Sequence, residues 1–289
     1  MRLEHSLESE VIHELETHIE DKCQELRKSG LSEEEAANTC LNLLGSAKLV
    51  ARQIYEAHSQ GSWSQALLAA LPPLLFGLLF FLNWWQGIGW LLGMLVLVLS
   101  MVVYSWWRGK PTWLFPWLGY SLLPVVAAGL LLLYLPQGWY WVAILVYVPL
   151  ALWLLYAITV QTIKRDWLYT SLMLLPLPVI AGWFLAVEPV NKFPEHWLQR
   201  LQDFAPWIGL TFLALGVTVA TFIRVRKRWL RVSVLVVSGL ITLTMVAYYT
   251  KGRLSIPAFL ILMVVMLLLL LSPALVERTL RHAGQQPGQ

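Results

Sequence analysis

After Trp63 the chain is no longer composed for water. From about residue 66 to residue 276, stretches of nearly unbroken Leu, Val, Ala, Phe and Trp recur at the length of a membrane crossing. A helix rising 1.5 Å per residue needs about 20 apolar residues to cross a hydrocarbon core about 30 Å thick. Such a chain has few folds open to it. In lipid every backbone amide and carbonyl must find a partner within the protein, which leaves helices and closed barrels. The runs are continuous rather than alternating, and this selects helices. Eight segments qualify: about 66–84, 87–107, 113–135, 139–160, 167–187, 206–223, 232–250 and 256–276. A Lys or Arg at mid-membrane costs about 2.5–3.5 kcal/mol, and none stands at the centre of these spans.

The basic residues give the orientation. With the amino terminus inside, the inner loops and tail carry Arg108, Lys110, Lys164, Arg165, Arg224, Arg226, Lys227, Arg228, Arg231, Arg278 and Arg281. The outer loops carry Lys192, Arg200, Lys251 and Arg253, so the balance of eleven to four predicts both termini inside. The largest outer loop, Glu188 to Ala205, carries Phe193, Trp197, Leu198, Leu201 and Phe204 at the spacing of an interfacial helix.

The first 62 residues obey other rules. They hold twelve acids and six bases, a net −6 that leaves +10 on the remainder. That sign is wrong for direct nucleic-acid binding despite the overall pI of 9.1. Leu7, Val11, Leu15, Ile19 and Leu26 recur at helical spacing and predict one amphipathic helix over about 5–29. Gly30 ends it, since glycine enters the left-handed conformation cheaply. Ser32 with Glu35 forms a capping box for a second helix, and Glu33 and Glu34 favour its positive end. Ala36, Ala37, Cys40, Leu41 and Leu44 form its apolar face, and Gly45 closes it. A third helix follows Ser46, with Ala47, Leu49, Val50, Ile54 and Tyr55. Cys23 and Cys40 lack a CxxC spacing and read as small buried hydrophobes. His13-Glu14 and His18 spell HExxxH, one residue longer than the zinc-protease motif. The two imidazoles then point about 140° apart, so no metal role follows.

The run from Glu14 to Asp21, the stretch Gly30-Leu31-Ser32-Glu33-Glu34-Glu35-Ala36, Leu41-Asn42-Leu43-Leu44-Gly45 and Ala51 to Ile54 together resemble the HAAS signalling domain, related to the prefix domain of some bacterial permeases. The resemblance covers about residues 7–57. Family members often carry an acid and a proline after the second glycine, where this chain has Ser46-Ala47. It implies a bacterial plasma-membrane protein whose cytosolic helical module relays or receives a signal, with a PadR-like transcriptional regulator as a typical partner. It implies no catalytic residue.

Within the spans, Pro72-Pro73 and Pro176-Leu177-Pro178 are the expected bends, because proline frees a carbonyl and kinks a helix. Trp63, Trp113, Trp167 and Trp229 each open a span, which would fit a helical hairpin used four times. The spans carry hydroxyls and amides in place of the ionisable groups that ion-coupled carriers and intramembrane enzymes need. No Walker motif or GxSxG elbow is present. The expected architecture is all-α: a three-helix domain over 1–62, a transmembrane bundle of about eight spans over 63–277, and a tail over 278–289. The expected function is non-enzymatic signalling at the membrane without a cofactor, the alternative being a permease for an uncharged or lipid-like solute. The candidate docking or latch surface is Glu16, Glu20, Glu33 and Glu34 on the acidic module with Arg226, Lys227 and Arg228 on the inner loop.

Overall fold

A computed structural model describes residues 5–44, 50, 60–109, 111–123, 139–163, 166–187, 197–252 and 254–283. Every regular element among them is helical. The chain divides into two compact units, Met1–Gln60 and Gly61–Gln289.

In the first unit, α1 (His5–Lys28) packs against α2 (Glu33–Leu44). Between them Gly30 takes φ +96°, a conformation open to glycine and strained for other residues. The Gly30 amide donates to the Arg27 carbonyl and the Leu31 amide to that of Leu26, which closes α1 with a Schellman turn. At the start of α2 the Glu35 amide donates to Ser32 Oγ at 3.3 Å, and the Ser32 amide donates to Glu35 Oε2 at 3.2 Å. Leu15, Ile19 and Leu26 are half-buried, and Ala36 and Cys40 are buried. Ala37 is exposed, against its assignment to the apolar face. It lies about 100° around the helix from Ala36, whereas Cys40 completes the i, i+4 stripe. Cys23 is half-buried rather than fully buried. A hydrogen bond with Cys23, then burial, raises the Cys40 thiol above its ordinary pKa. Gly45, Ser46 and almost all of the expected third helix lie outside the described residues.

The second unit holds α3 (Trp63–Phe81), a single 3-10 turn at Trp84–Gln86, α4 (Ile88–Trp107), α5 (Leu114–Ser121), α6 (Trp139–Ile163), α7 (Trp167–Leu174), α8 (Pro176–Val187), α9 (Trp197–Arg224), α10 (Arg228–Tyr249) and α11 (Ile256–Ala283). Six helices among the described residues are long and apolar enough to cross a membrane: Trp63–Phe81, Ile88–Trp107, Trp167–Val187 (α7 and α8 together), Gln199–Arg224, Arg228–Tyr249 and Ile256–Val276. The protein therefore has the build of a multi-pass membrane protein. Of the two other expected spans, 113–135 begins as the eight-residue α5, and its remainder lies outside the described residues. Segment 139–160 falls within α6, which contains a shorter apolar stretch at Leu145–Val160.

Two sequence expectations change. The outer-loop segment ending at Ala205 is not a separate interfacial connector over its described part, since α9 runs unbroken from Trp197 through Pro206 to Arg224. The reason is a continuous buried stripe of Phe204, Ala205, Ile208, Phe212, Leu215, Val219 and Phe222, whose spacing keeps one face inward on both sides of the proline. Neither proline pair breaks its span. Pro72 and Pro73 sit inside an unbroken α3, and at the junction of α7 and α8 Leu175, just before Pro176, keeps a helical backbone (φ −55°, ψ −38°) and its amide still donates to the Ser171 carbonyl. Pro72 has no N–H for the Leu68 carbonyl one turn back, and the Trp117 indole N–H takes that carbonyl at 2.9 Å.

Packing places α7–α8 at the centre and α4 at the rim: 67% of the first span's apolar window is buried, against 11% of the second. The α3–α9 pair is the most extensive helix contact. A β-carbon added at Gly77 of α3 would lie 3.2 Å from the Gly209 carbonyl oxygen of α9, a tight contact, so glycine lets the two backbones approach closely.

Candidate functional site: a charged node at one end of the second unit

The node forms where α9 ends and α10 and α7 begin. Asp166 caps α7, its side chain accepting the Leu168 amide at 3.1 Å. Asp166 Oδ1 also accepts from Arg228 Nη2 at 3.2 Å, with the carboxylate side chain only 4% exposed. Arg231, one turn along α10 from Arg228, is 0% exposed. Its Nε donates to the Val225 carbonyl at 2.8 Å, and its guanidinium lies 5.3 Å from the Phe222 ring centroid and 6.0 Å from that of Tyr169. Hydrogen bonding and ring faces thus receive a charge that apolar surroundings would otherwise reject.

A second contact ties the start of α3 to the same end. The Gly61 amide donates to the Ile223 carbonyl at 3.1 Å, and Arg224 Nη1 donates to the Gly61 carbonyl at 3.0 Å. The Arg224 guanidinium stacks 4.4 Å from the centroid of Trp63. A β-carbon at Gly61 would collide with Ile223 Cγ2, so the close approach requires glycine. Ser62 then opens α3 with a capping box: its Oγ accepts the Gln65 amide at 3.2 Å and its amide donates to Gln65 Oε1 at 3.0 Å. The entry to the second unit, from Gly61 to Gln65, is therefore held in place by bonds at both its ends.

Four buried hydroxyl oxygens find no hydrogen-bond partner among the described residues: those of Thr112, Tyr120, Thr159 and Thr170. Each such group costs about 1–3 kcal/mol if nothing satisfies it. The Tyr120 ring lies between α3 and α9, 5.1 Å from Phe76 and 6.0 Å from Phe212. The three threonines belong to the segments around the node.

The sequence-derived candidates are distributed unevenly over this geometry. Glu16, Glu20 and Glu34 are exposed on the first unit. Glu33 is exposed too but accepts from Arg27 Nη2 at 2.6 Å. Arg226 and Lys227 are exposed, while Arg228 is largely withdrawn into the pair with Asp166. The structure thus separates Arg228 from the two residues grouped with it as a docking surface. Pro72, Pro73, Pro176 and Pro178 are all buried.

Sequence reasoning passed over Asp166, Arg231 as a core residue, and Gly61 with Ser62. The signals were present. An aspartate directly before an apolar run is an N-cap signature, and Ser62-x-x-Gln65 is a capping box. Counting Arg231 as one more inner-loop charge concealed its position one turn inside α10, on the face shared with Leu235. Comparison with protein-family models, with curated proteins and with solved structures finds no match for the chain.

Proposed function

We propose that the chain is a non-enzymatic signalling protein of the bacterial plasma membrane, with both termini in the cytosol. In this reading its acidic amino-terminal module docks a cytosolic protein such as a PadR-like regulator. The supporting observation is the Gly61–Arg224–Trp63 clamp. The segment leaving the amino-terminal unit enters the second unit by bonding to the end of α9, and after three more residues α10 begins beside the buried Asp166–Arg228 pair. A displacement of α9 or α10 would move residues 61–65 with it, which is what a relay requires. The HAAS-like residue pattern and the twelve acids of the front module supply the docking half of the reading.

The test uses the full chain in its own membrane. Cross-linked partners are compared between wild type and a Glu16→Lys, Glu20→Lys, Glu34→Lys variant, with Arg224→Ala as the uncoupled control. The proposal expects a protein captured by wild type and lost in the charge-reversed chain, and an altered response of that partner in Arg224→Ala. Identical capture by all three chains would overturn it. A permease for an uncharged solute is the second reading, favoured by the buried Tyr120 hydroxyl without a hydrogen-bond partner among the described residues. Solute uptake abolished by Tyr120→Phe, with capture unchanged, would select it.

A further inference from the structure

Cys23 and Cys40 are the chain's two cysteines, and the fold of the first unit brings them together. On α1, Cys23 continues the half-buried stripe of Leu15, Ile19 and Leu26. On α2, Cys40 follows Ala36 by one turn, and both are buried. The Cys40 thiol reaches across the hairpin and donates to the Ile19 carbonyl, with Sγ 3.7 Å from the oxygen. Ile19 stands one helical turn before Cys23. Side chains on a helix lean toward its amino terminus, so the Cys23 thiol lies over that same turn. The two thiols are accordingly in hydrogen-bond contact with each other.

Their surroundings give the two sulfurs different parts. Cys23 is half-buried, within reach of a small reagent, whereas Cys40 is 4% exposed. Thiolates attack and thiols do not, so the more accessible cysteine reacts first. The hydrogen bond with Cys23, then burial, holds the resting Cys40 thiol protonated. The positive charge of Lys22 acts in the opposite sense and favours the Cys40 thiolate that a second step needs.

We propose that Cys23 and Cys40 form a redox modification site that closes to a reversible disulfide across the α1–α2 hairpin, with a low-molecular-weight disulfide as the oxidant. The Cys23 thiolate attacks one sulfur of the reagent, forming a mixed disulfide and releasing one small thiolate. The Cys40 thiolate then attacks the Cys23 sulfur, and the second small thiolate leaves. Two protein thiols are oxidised, one reagent disulfide is reduced, and the two protein protons end on the two small thiols. The bridge ties α2 to α1 on both sides of the Gly30 turn, so its opening and closing set how firmly the hairpin is held. The site stands apart from the docking reading, because closure is read on the chain itself with no partner present.

The experiment treats the full chain in uncharged detergent with hydroxyethyl disulfide, a neutral reagent suited to a module rich in acids. Remaining thiols are then alkylated and the intact mass is read. Wild type should lose two hydrogens, keep no adduct and take up no alkylating agent, and dithiothreitol should restore both thiols. Cys40→Ser should stop at a stable mixed disulfide on Cys23. Cys23→Ser should react about tenfold or more slowly, since its remaining thiol is buried. In denaturant the step from mixed disulfide to bridge should slow about tenfold or more, because the fold no longer holds the sulfurs together. A folded wild type that retains adducts or alkylatable thiols overturns the proposal, as do bridges between chains in place of bridges within one. So does a bridging step as fast in denaturant as in the folded chain.

Discussion

Each unit has an arginine–carboxylate pair, and the two pairs belong to different solvents. In the first unit Arg27 meets Glu33 with both side chains more than half exposed. In the second, Asp166 and Arg228 meet with the carboxylate 4% exposed and the guanidinium 23% exposed. Exposed pairs contribute about 0–1 kcal/mol, because water screens them and holding two long side chains costs entropy. Breaking a largely buried pair costs more, because the surviving partner is left charged where little water reaches it. The same contrast holds for hydrogen bonds: a lost bond at the exposed Ser32 cap is replaced by water, whereas the Leu68 carbonyl inside α3 takes its bond from the buried Trp117 indole. Both units use the same kinds of polar contact; they differ in how much stability is lost when one is removed.

The largest expected effect tests that claim directly. Asp166→Ala strips the cap from α7 and removes a charged hydrogen bond from the partly exposed Arg228, and should cost about 2–4 kcal/mol in thermal or denaturant unfolding of the second unit. Glu33→Ala, the corresponding deletion in the first unit, should leave the midpoint within error. Equal effects from the two substitutions would remove the contrast.

Next in size is Trp117→Phe, which keeps the ring packed but returns the Leu68 carbonyl to an unpaired state, for about 1–3 kcal/mol. Pro72→Ala supplies the missing N–H, so in the Trp117→Phe background it should recover much of that loss. A double-mutant cycle measures the coupling. Additive effects would mean that the indole bond does not compensate for the proline.

Ser32→Ala comes third. It deletes the hydroxyl acceptor at the start of α2 and should cost about 1 kcal/mol, read as faster amide exchange over Glu33–Leu44. A larger loss than that of Trp117→Phe would invert the comparison.

The sequence revealed contacts in proportion to how local they are. Gly30, Ser32 and Glu35 act over a few residues, and their spacing alone indicates a stop and then a start. The six long apolar helices are equally readable, because burial in lipid depends on composition. Asp166 and Arg228 lie 62 residues apart, and Trp117 and Leu68 are 49 apart. No periodicity links such pairs. Basic residues near span ends are already explained by orientation in the membrane, so Arg231 gave no sign of being a core residue. The prolines show the same limit: Pro72 and Pro176 each predict a weakened ladder, but that the Trp117 indole takes the carbonyl left by Pro72 is not readable from local sequence.

The smallest effect concerns pH and refines the description of the first unit. Hydrogen bonds from the Ser32 hydroxyl, then from its amide, hold the Glu35 carboxyl below its ordinary pKa. A carboxyl whose folded pKa is lowered contributes stability that is fully present above its unfolded value and is lost as pH falls through the folded one. Acidification below about pH 4, the ordinary glutamate range, should therefore quicken amide exchange at the start of α2. Glu25 is also lowered, by its hydrogen bond to Lys22 and then by the lysine's charge, and should weaken α1 in the same direction and range. Salt separates the two in part: the charge contribution of Lys22 to Glu25 is weakened at about 1 M, whereas the Glu35 cap rests on hydrogen bonds from a neutral hydroxyl and amide and should persist. Glu35→Gln retains an acceptor for the Ser32 amide and loses the titration, so its α2 exchange should be nearly flat across the acid range at either salt concentration. If that variant loses protection on acidification as steeply as wild type, the capping box is not the titrating element, and the acid sensitivity of the unit belongs to its exposed charges as a group.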